Sequence, residues 1–158
     1  MKKIIWLLSI LLLVTGGMNA QKKKDAKKYG IRSSSVVDQE NGKTLNVQKT
    51  LFDKNGETIE ETDYDRDGSV RWVRKYKLDK DGKVIEEEEY DGKLKTTEKR
   101  ISKYNSLGDK TEEQVFDNAG NKLKTHFYTH DSRGFKTERK TVDGSGKVLA
   151  IRKYTYDR

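Results

Sequence analysis

The 158-residue chain contains no cysteine and no proline, and it has few apolar residues. Without cysteine it cannot form disulfides, a cysteine-based metal site, a cysteine nucleophile or a lipobox lipid anchor. Only 32% of the residues are apolar and 38% are charged, a composition that approaches that of disordered chains. The lack of proline, the many Tyr, Ile, Val and Thr residues and a strict repeat argue instead for an ordered β structure.

Motifs of catalysis are also missing from the sequence. It has no Gly-rich phosphate loop, no nucleophile elbow and no HExxH motif. His126 and His130 would point to the same face of a strand but stand about 13 Å apart, too far to share a metal ion. Carboxylates abound along the predicted strands, so no pair is singled out for acid–base work. We therefore expect a protein that is not an enzyme and has no cofactor.

Residues 1–20 predict a signal peptide. Lys2 and Lys3 precede the apolar run Ile4–Val14, and Thr15–Ala20 is small and polar, so cleavage is expected after Ala20. We expect an exported protein that is periplasmic, at the cell surface or secreted, that is not a lipoprotein, and that keeps no transmembrane span after cleavage. A retained N-terminal anchor is the alternative.

Residues 21–30 predict a basic, flexible arm, because residues 21–28 read QKKKDAKK. Such an arm is either a solvated spacer or a contact with anionic lipid or polysaccharide. The net charge of the whole chain is +8. Since an exported protein rarely meets nucleic acid, we do not expect a nucleic-acid partner despite this charge.

A repeat fills residues 31–158, which we interpret as one domain. A bulky residue is followed by Asp or Asn and then by Gly, and the spacing of the bulky residues alternates between 12 and 14 positions. The repeat unit therefore spans 26 positions and has two unequal halves. The bulky lead residues are Phe52, Tyr64, Leu78, Tyr90, Tyr104, Phe116, His130, Val142 and Tyr156.

Each copy predicts a tight turn between two strands. Asp or Asn at the first turn position accepts backbone N–H groups, and Gly at the fourth position adopts positive φ and closes a hairpin with a G1 bulge. One copy, Asp91–Gly92, predicts a two-residue turn instead, with a bulge in residues 93–103. The other predicted turns are Asp53 to Gly56, Asp65 to Gly68, Asp79 to Gly82, Asn105 to Gly108, Asp117 to Gly120, Asp131 to Gly134 and Asp143 to Gly146.

The segments between turns have the length and composition of strands. We therefore predict an all-β fold, an antiparallel meander of nine to ten strands in a twisted or curled open sheet. Pairing Phe52 with Thr58 and extending that register places even-numbered residues on one face throughout. Strand residues 147–156 are expected to form an open edge that can accept a strand from a partner, unless Arg152 and Lys153 guard it.

The segment DYDRDGSV, residues 63–70, resembles the front half of an EF-hand calcium loop. The repeat accounts for Asp65, Asp67 and Gly68 as turn residues. An EF-hand needs a bidentate Glu at its twelfth position, where this chain has Arg74. We favour a turn, and a weak calcium site formed by Asp63, Asp65 and Asp67 is the alternative.

The repeat resembles the YD repeat of the RHS family, whose signature runs roughly Y-x-Y-D-x-x-G-R. The copies that carry the resemblance are YTHDSRG from Tyr128, YKLDKDG from Tyr76 and the terminal YTYDR from Tyr154, and it covers residues 37–158. The repeat is similar, more weakly, to MORN-type strand repeats of small bacterial immunity-like proteins. RHS-type proteins are large β-shells around toxins, or cell-surface proteins associated with carbohydrate binding, so the resemblance implies a β-sheet repeat at the cell surface.

An aromatic surface with a charged rim is the predicted binding site, because such surfaces stack on sugars or anchor proteins. We expect a non-enzymatic, exported module that binds or scaffolds an envelope protein or polysaccharide. An immunity-like protein that neutralises a specific toxin is the alternative, and a glycan-acting enzyme is a weaker one. The candidate binding residues are Trp72, Tyr76, Tyr64, Tyr128, Tyr154 and Tyr156.

Overall fold

The computed structural model describes residues 23–40 and 42–157, so the predicted signal peptide lies outside the described residues. The fold prediction is confirmed: ten antiparallel strands form one sheet in sequence order. Within this described part of the chain, strands β1 and β10 each have a single neighbour, so the sheet is open. The strands are β1 (Ser33–Glu40), β2 (Lys43–Phe52), β3 (Thr58–Tyr64), β4 (Val70–Leu78), β5 (Val84–Asp91), β6 (Thr96–Tyr104), β7 (Lys110–Asp117), β8 (Lys122–His130), β9 (Lys136–Asp143) and β10 (Val148–Lys153).

The described part of the segment predicted to be a flexible arm forms a short helix over residues 23–29. Its buried residue is Ala26, which is 3% exposed. The helix lies directly against the turn between β2 and β3: a Cβ atom on Gly56 would come within 2.4 Å of the Lys23 carbonyl oxygen. Lys23 also forms an ion pair with Glu57 of that turn. The segment therefore covers one corner of the sheet.

The predicted turn chemistry is confirmed at the repeat positions. In the β2–β3 hairpin, the Gly56 N–H donates to the Asp53 carbonyl oxygen (3.1 Å), and Gly56 has a φ of 79°. The Asp53 side chain accepts the backbone N–H groups of Asn55 and Glu57 at 2.8 and 2.9 Å. The Asp or Asn side chain thus holds the turn, and Gly supplies the left-handed residue.

The turn after β5 corrects one prediction. Asp91 and Gly92 do not form a two-residue turn; the Leu94 N–H donates to the Asp91 carbonyl oxygen (2.8 Å), as Gly does in the other hairpins. Leu94 has a φ of 58°, in the left-handed backbone region that residues with a Cβ atom rarely adopt. The hydrogen-bonding pattern of the repeat therefore imposes the same turn on a sequence that lacks the usual Gly.

We expect the substitution Leu94→Gly to stabilise the protein by about 0.5–1 kcal/mol. It removes the left-handed strain of about 1–2 kcal/mol, and the greater freedom of Gly in the unfolded chain offsets part of the gain. Leu94 is 64% exposed, so little buried surface is lost. Urea unfolding measures the difference, and an unchanged or lower stability would show that Leu94 is not strained.

The prediction that all even-numbered residues lie on one face of the sheet is wrong. Phe52 lies opposite Thr58 as predicted, but the next pair is Leu51 with Glu60, so Ile59 is an extra residue. A similar shift occurs in every hairpin from β2 to β10. Because side chains alternate between faces along a strand, each extra residue exchanges the parity of the next strand.

We call the face of the sheet that carries Phe52 face 1, and we call the opposite face of the sheet face 2. The lead residues of the first half-repeats, such as Phe52 and Tyr104, lie on face 1. Those of the second half-repeats, such as Tyr64 and Phe116, lie on face 2 at the other ends of the strands. This division explains why the repeat unit spans two hairpins.

Only a thin apolar core results. The buried apolar residues are Ala26, Phe52, Val73, Val115 and Val142, which are 1–9% exposed. Val115 lies on face 1 and Val73 on face 2, so the buried residues are divided between the two faces. Much of the remaining surface of each face is polar, which makes cross-strand ion pairs a large part of the packing.

None of the helical structure in residues 23–40 and 42–157 is long and apolar enough to cross a bilayer.

Candidate binding surfaces

The candidate aromatic residues do not form one continuous surface. Trp72 and Tyr76 lie on face 1 of β4, whereas Tyr64 lies on face 2 of β3. Tyr128, Tyr154 and Tyr156 lie close to one another at the β8–β10 end of the sheet. The structure therefore divides the six residues among three places.

Trp72 and Tyr76 are engaged by neighbouring side chains. The Arg74 guanidinium lies 4.4 Å from the centre of the Trp72 ring. The Tyr76 hydroxyl donates to Glu61 Oε2 at 2.8 Å. Burial, and then the hydrogen bond to Glu61, raise the pKa of Tyr76. These contacts tie both rings into the sheet.

A second aromatic group surrounds Lys136, at the start of β9. Lys136 Nζ lies 4.7 Å from the centre of the Tyr128 ring and 5.5 Å from that of Tyr154. The Tyr156 hydroxyl donates to the Lys136 carbonyl oxygen at 2.8 Å, and its ring lies 5.2 Å from that of Phe135. Tyr156 is 55% exposed and Phe135 is 46% exposed, so this group presents aromatic surface to solvent.

Tyr76 and Tyr128 occupy equivalent positions, two repeat units apart, and make equivalent contacts. The Tyr128 hydroxyl donates to Glu113 at 3.4 Å, just as Tyr76 donates to Glu61. Burial raises the pKa of Tyr128 to about 12. A contact that recurs with the repeat supports the sheet, so these two tyrosines serve the architecture.

The three aspartates of DYDRDGSV are occupied by side chains of their own hairpin. The Arg71 guanidinium contacts Asp63 at 3.0 Å and Asp65 at 2.8 Å. Asp67 accepts the Ser69 backbone N–H at 2.9 Å and its hydroxyl at 2.6 Å. The hydrogen bonds from Ser69 lower the pKa of Asp67. Among the described residues, no three His, Asp or Glu side chains are grouped so that they could hold a metal ion.

Face 1 also carries a row of ionisable residues that the sequence analysis missed. One residue per strand, spaced 13 positions apart in the sequence, contributes to it from β3 to β10. Acidic and basic residues alternate along most of the row. The residues of this charge row are Glu61, Arg74, Glu87, Arg100, Glu113, His126, Arg139 and Arg152.

The central members of the charge row form ion pairs across the sheet. Arg74 Nε lies 2.7 Å from Glu89 and 3.9 Å from Glu87. Arg100 lies 3.2 Å from Glu87 and also contacts Glu98. Burial tends to lower the pKa of Arg100, but the two carboxylates raise it above its ordinary value. This part of face 1 is therefore neutralised internally.

Toward β8 the charge row carries less charge. Glu113 lies opposite His126, whose Nδ1 is 2.8 Å from the Thr141 hydroxyl. Burial lowers the pKa of His126, which favours the neutral imidazole. Lys110 donates a hydrogen bond to Glu113 at 2.7 Å. Burial tends to raise the pKa of Glu113, but the contact with Lys110 helps to lower it below its ordinary value.

At β9 and β10 the charge row ends in two cations. Arg139 lies directly opposite Arg152, although Glu occupies the position of Arg139 in the three preceding units. Arg139 Nε is buried and has no hydrogen-bond partner among the described residues. Within the described chain no ion pair is formed by either arginine. The row thus ends without the carboxylates that neutralise it elsewhere.

Strand β10 is the open edge predicted for residues 147–156. Among the described strands it pairs only with β9, and all six of its residues are exposed. Val148, Leu149 and Ile151 are 46–57% exposed. Because the Tyr154 N–H donates to Thr137 of β9 (3.0 Å) and N–H directions alternate along a strand, the N–H of Ile151 points away from the sheet.

A groove of about 420 Å³ lies under the short helix. Its lining includes Lys23, Glu57, Glu61, Tyr76 and Leu78. Lys23 is paired with Glu57, and Glu61 accepts the Tyr76 hydroxyl. These polar groups satisfy one another, so the groove presents no free acid–base pair.

The chain is similar to several solved structures at low sequence identity. No protein-family model matches the chain, and no curated protein matches it. A porin-like protein from Bacteroides uniformis is similar over 70% of this chain and 47% of its own, with 11% identity and a TM-score of 0.38.

Two other solved structures are similar at the same distant level. TarM is 16% identical over 83% of this chain and 23% of its own, with a TM-score of 0.34. The GtfA/B complex bound to UDP and GlcNAc is 16% identical over 75% of this chain and 24% of its own, with a TM-score of 0.31. The chain thus spans about half of the first of these proteins and about a quarter of the other two, and likeness this distant indicates no shared function.

Proposed function

We propose that this protein is a non-enzymatic, exported β-repeat protein that binds a protein partner at the cell envelope through the free edge of β10. The observation that carries the proposal is the combination of a free strand edge with exposed apolar side chains, Val148, Leu149 and Ile151. An added strand would bond the outward N–H and C=O groups of β10 and cover these side chains.

Export rests on the signal-like pattern of residues 1–20, which predicts passage across a membrane. The non-enzymatic part of the proposal is supported by how the carboxylates of face 1 are used. Glu87, Glu89 and Glu98 are in ion pairs with arginines, and Glu61 accepts a tyrosine hydroxyl. Such carboxylates serve as cross-strand partners in the sheet.

Carbohydrate binding is a second candidate function. The exposed rings of Phe135 and Tyr156 favour it, since aromatic rings stack on sugars. Lys136 already lies over the rings of Tyr128 and Tyr154, which leaves only part of the group available. We therefore rank this candidate below binding through β10.

Capture of partners from an envelope extract tests the proposal, with residues 21–158 as bait. We expect Ile151→Pro to abolish capture, because it removes an outward N–H while leaving the N–H groups bonded to β9 intact. Ser35→Pro in β1, at the opposite edge, is the matched control and should capture normally. Equal capture by both variants and the unchanged protein would overturn the proposal, and retained binding to a sugar matrix alone would favour the second candidate.

A further inference from the structure

We propose that the strand that docks on β10 is acidic and places carboxylates on face 1, against Arg152 and Arg139. This inference rests on the proposed function, since it specifies the chemistry of the partner that the free edge of β10 accepts. It follows from the charge row, whose members recur once per strand and whose last two members are both arginines.

The repeat shows what an arginine at the position of Arg152 requires. Arg74 is its equivalent three units earlier, and the next strand supplies Glu89 directly opposite it. That carboxylate lies 2.7 Å from the Arg74 guanidinium, and Glu87 lies 3.9 Å away. Arg152 has no next strand in the described chain, so the carboxylates that pair with Arg74 have no counterpart there.

Arg100, the equivalent of Arg152 two units earlier, has no carboxylate opposite it on the next strand. It pairs instead with Glu87 of the preceding strand and Glu98 of its own strand. At Arg152 these two positions are held by Arg139 and Ala150, so this second set of carboxylates is missing as well.

Arg139 adds to the positive charge that a docking strand would have to neutralise. Like charges that face each other on neighbouring strands destabilise a sheet, and Arg139 faces Arg152 directly. A buried guanidinium nitrogen without a partner adds to this cost. Carboxylates from an incoming strand would pair with Arg152 through charge-assisted hydrogen bonds and so reduce its repulsion of Arg139.

The part of the sheet around Arg139 and Arg152 also carries a net positive charge. Residues 122–157 contain nine Lys and Arg against four Asp and Glu, whereas residues 58–117 contain 13 against 17. The end of the sheet that carries the free edge is therefore basic, and the middle is acidic. An acidic segment is attracted to the β10 end and repelled by the centre.

A second copy of this chain is a poorer occupant. In the edge strand β1 the residues that share face 1 include Ser34 and Val36, and neither is acidic. Pairing two β10 strands would bring together a second Arg152 and a second Lys153. Neither arrangement supplies a carboxylate to face 1.

A charged edge strand can also serve only to prevent pairing. The two interpretations differ in the importance of charge sign. A guard residue works with either sign, because any charge opposes edge-to-edge association, whereas an acidic partner requires cations. Charge reversal therefore distinguishes them.

The test measures binding of the folded chain, residues 21–158, to an immobilised peptide of alternating Thr and Glu, with a Thr and Lys peptide of equal length as control. We expect the acidic peptide to bind at least about tenfold more tightly than the basic one. Polygalacturonate, an acidic polysaccharide, forms a separate arm.

The informative variant is Arg139→Glu, which restores the acidic residue of the preceding units. We expect it to raise the urea midpoint, because the introduced carboxylate would pair with Arg152, and to weaken acidic-peptide binding about tenfold or more. Arg152→Glu should weaken that binding equally. Lys49→Glu in β2, an equal charge change at an exposed cation far from β10, should leave binding unchanged.

Several outcomes would overturn the inference. These are equal binding of the two peptides, no binding of the acidic peptide at roughly millimolar concentration, or binding of polygalacturonate alone. If partner capture is abolished by Ile151→Pro but survives Arg139→Glu and Arg152→Glu, edge docking stands and the acidic character of the partner is wrong. If Ile151→Pro has no effect on capture, the proposed function itself fails.

Discussion

Replacing Phe52 by alanine is expected to lower the free energy of unfolding by about 3–4 kcal/mol, the usual cost of removing a buried aromatic ring. Phe52 is 6% exposed and lies in a sheet with few other buried apolar residues. Neighbouring strands are held by backbone pairing, so they cannot easily close the resulting cavity. Urea unfolding of residues 21–158 measures the change.

Phe127→Ala in β8 is the matched control for this prediction. Phe127 is 42% exposed, so its ring gains much less from burial. We expect a loss of about 1 kcal/mol. Equal losses at the two positions would show that the corner at Phe52 is not a core.

Gly56→Ala is expected to destabilise the protein by about 3 kcal/mol, and Gly120→Ala by about 1–2 kcal/mol. Both glycines have a φ near 80°, so both substitutions introduce left-handed strain. A Cβ at position 56 also meets the Lys23 carbonyl oxygen at 2.4 Å and the Lys27 nitrogen at 2.8 Å, whereas position 120 is open. The difference between the two variants therefore measures the packing of the helix on the turn.

Removal of residues 21–30 separates the two causes. Without the helix, Gly56→Ala should cost the same as Gly120→Ala, because only the backbone strain remains. The comparison is a double-mutant cycle between the helix and the turn. A difference that persists in the shortened chain would contradict the observed contact.

The turns and the strand order were predictable because each hairpin carries its own local signal. Asp at the first turn position and Gly at the fourth are sufficient to indicate the turn between β2 and β3. The turn at Leu94 was not predictable in this way. There a residue with a Cβ adopts the Gly conformation, because the ladders on either side fix the loop length.

The distribution of side chains between the faces was mispredicted for a physical reason. The extra residue beside each turn, such as Ile59, is a property of the paired strands and leaves no distinctive residue type in the sequence. The charge row depends on it, because the bulge brings the odd-numbered Glu87 opposite the even-numbered Arg100. The regular spacing of the row, half a repeat unit, was nevertheless visible in the sequence and would have revealed it.

Packing of the short helix could not be inferred from composition. Lysines dominate residues 21–28 and predict a solvated segment, and a single alanine, Ala26, provides the buried contact. The small size of Gly56 allows the helix backbone to approach the turn. Such an approach depends on the tertiary arrangement, and the sequence signals it only as one more turn glycine.

Amide hydrogen exchange of the chain bound to its captured partner tests the central claim most directly. If β10 receives a strand, exchange of the amides in Val148–Lys153 should slow by at least about tenfold on binding, because outward N–H groups become hydrogen-bonded. Exchange in Ser33–Glu40, at the opposite edge, should not change. Unaltered exchange in β10 together with protection elsewhere in the sheet would contradict docking at this edge.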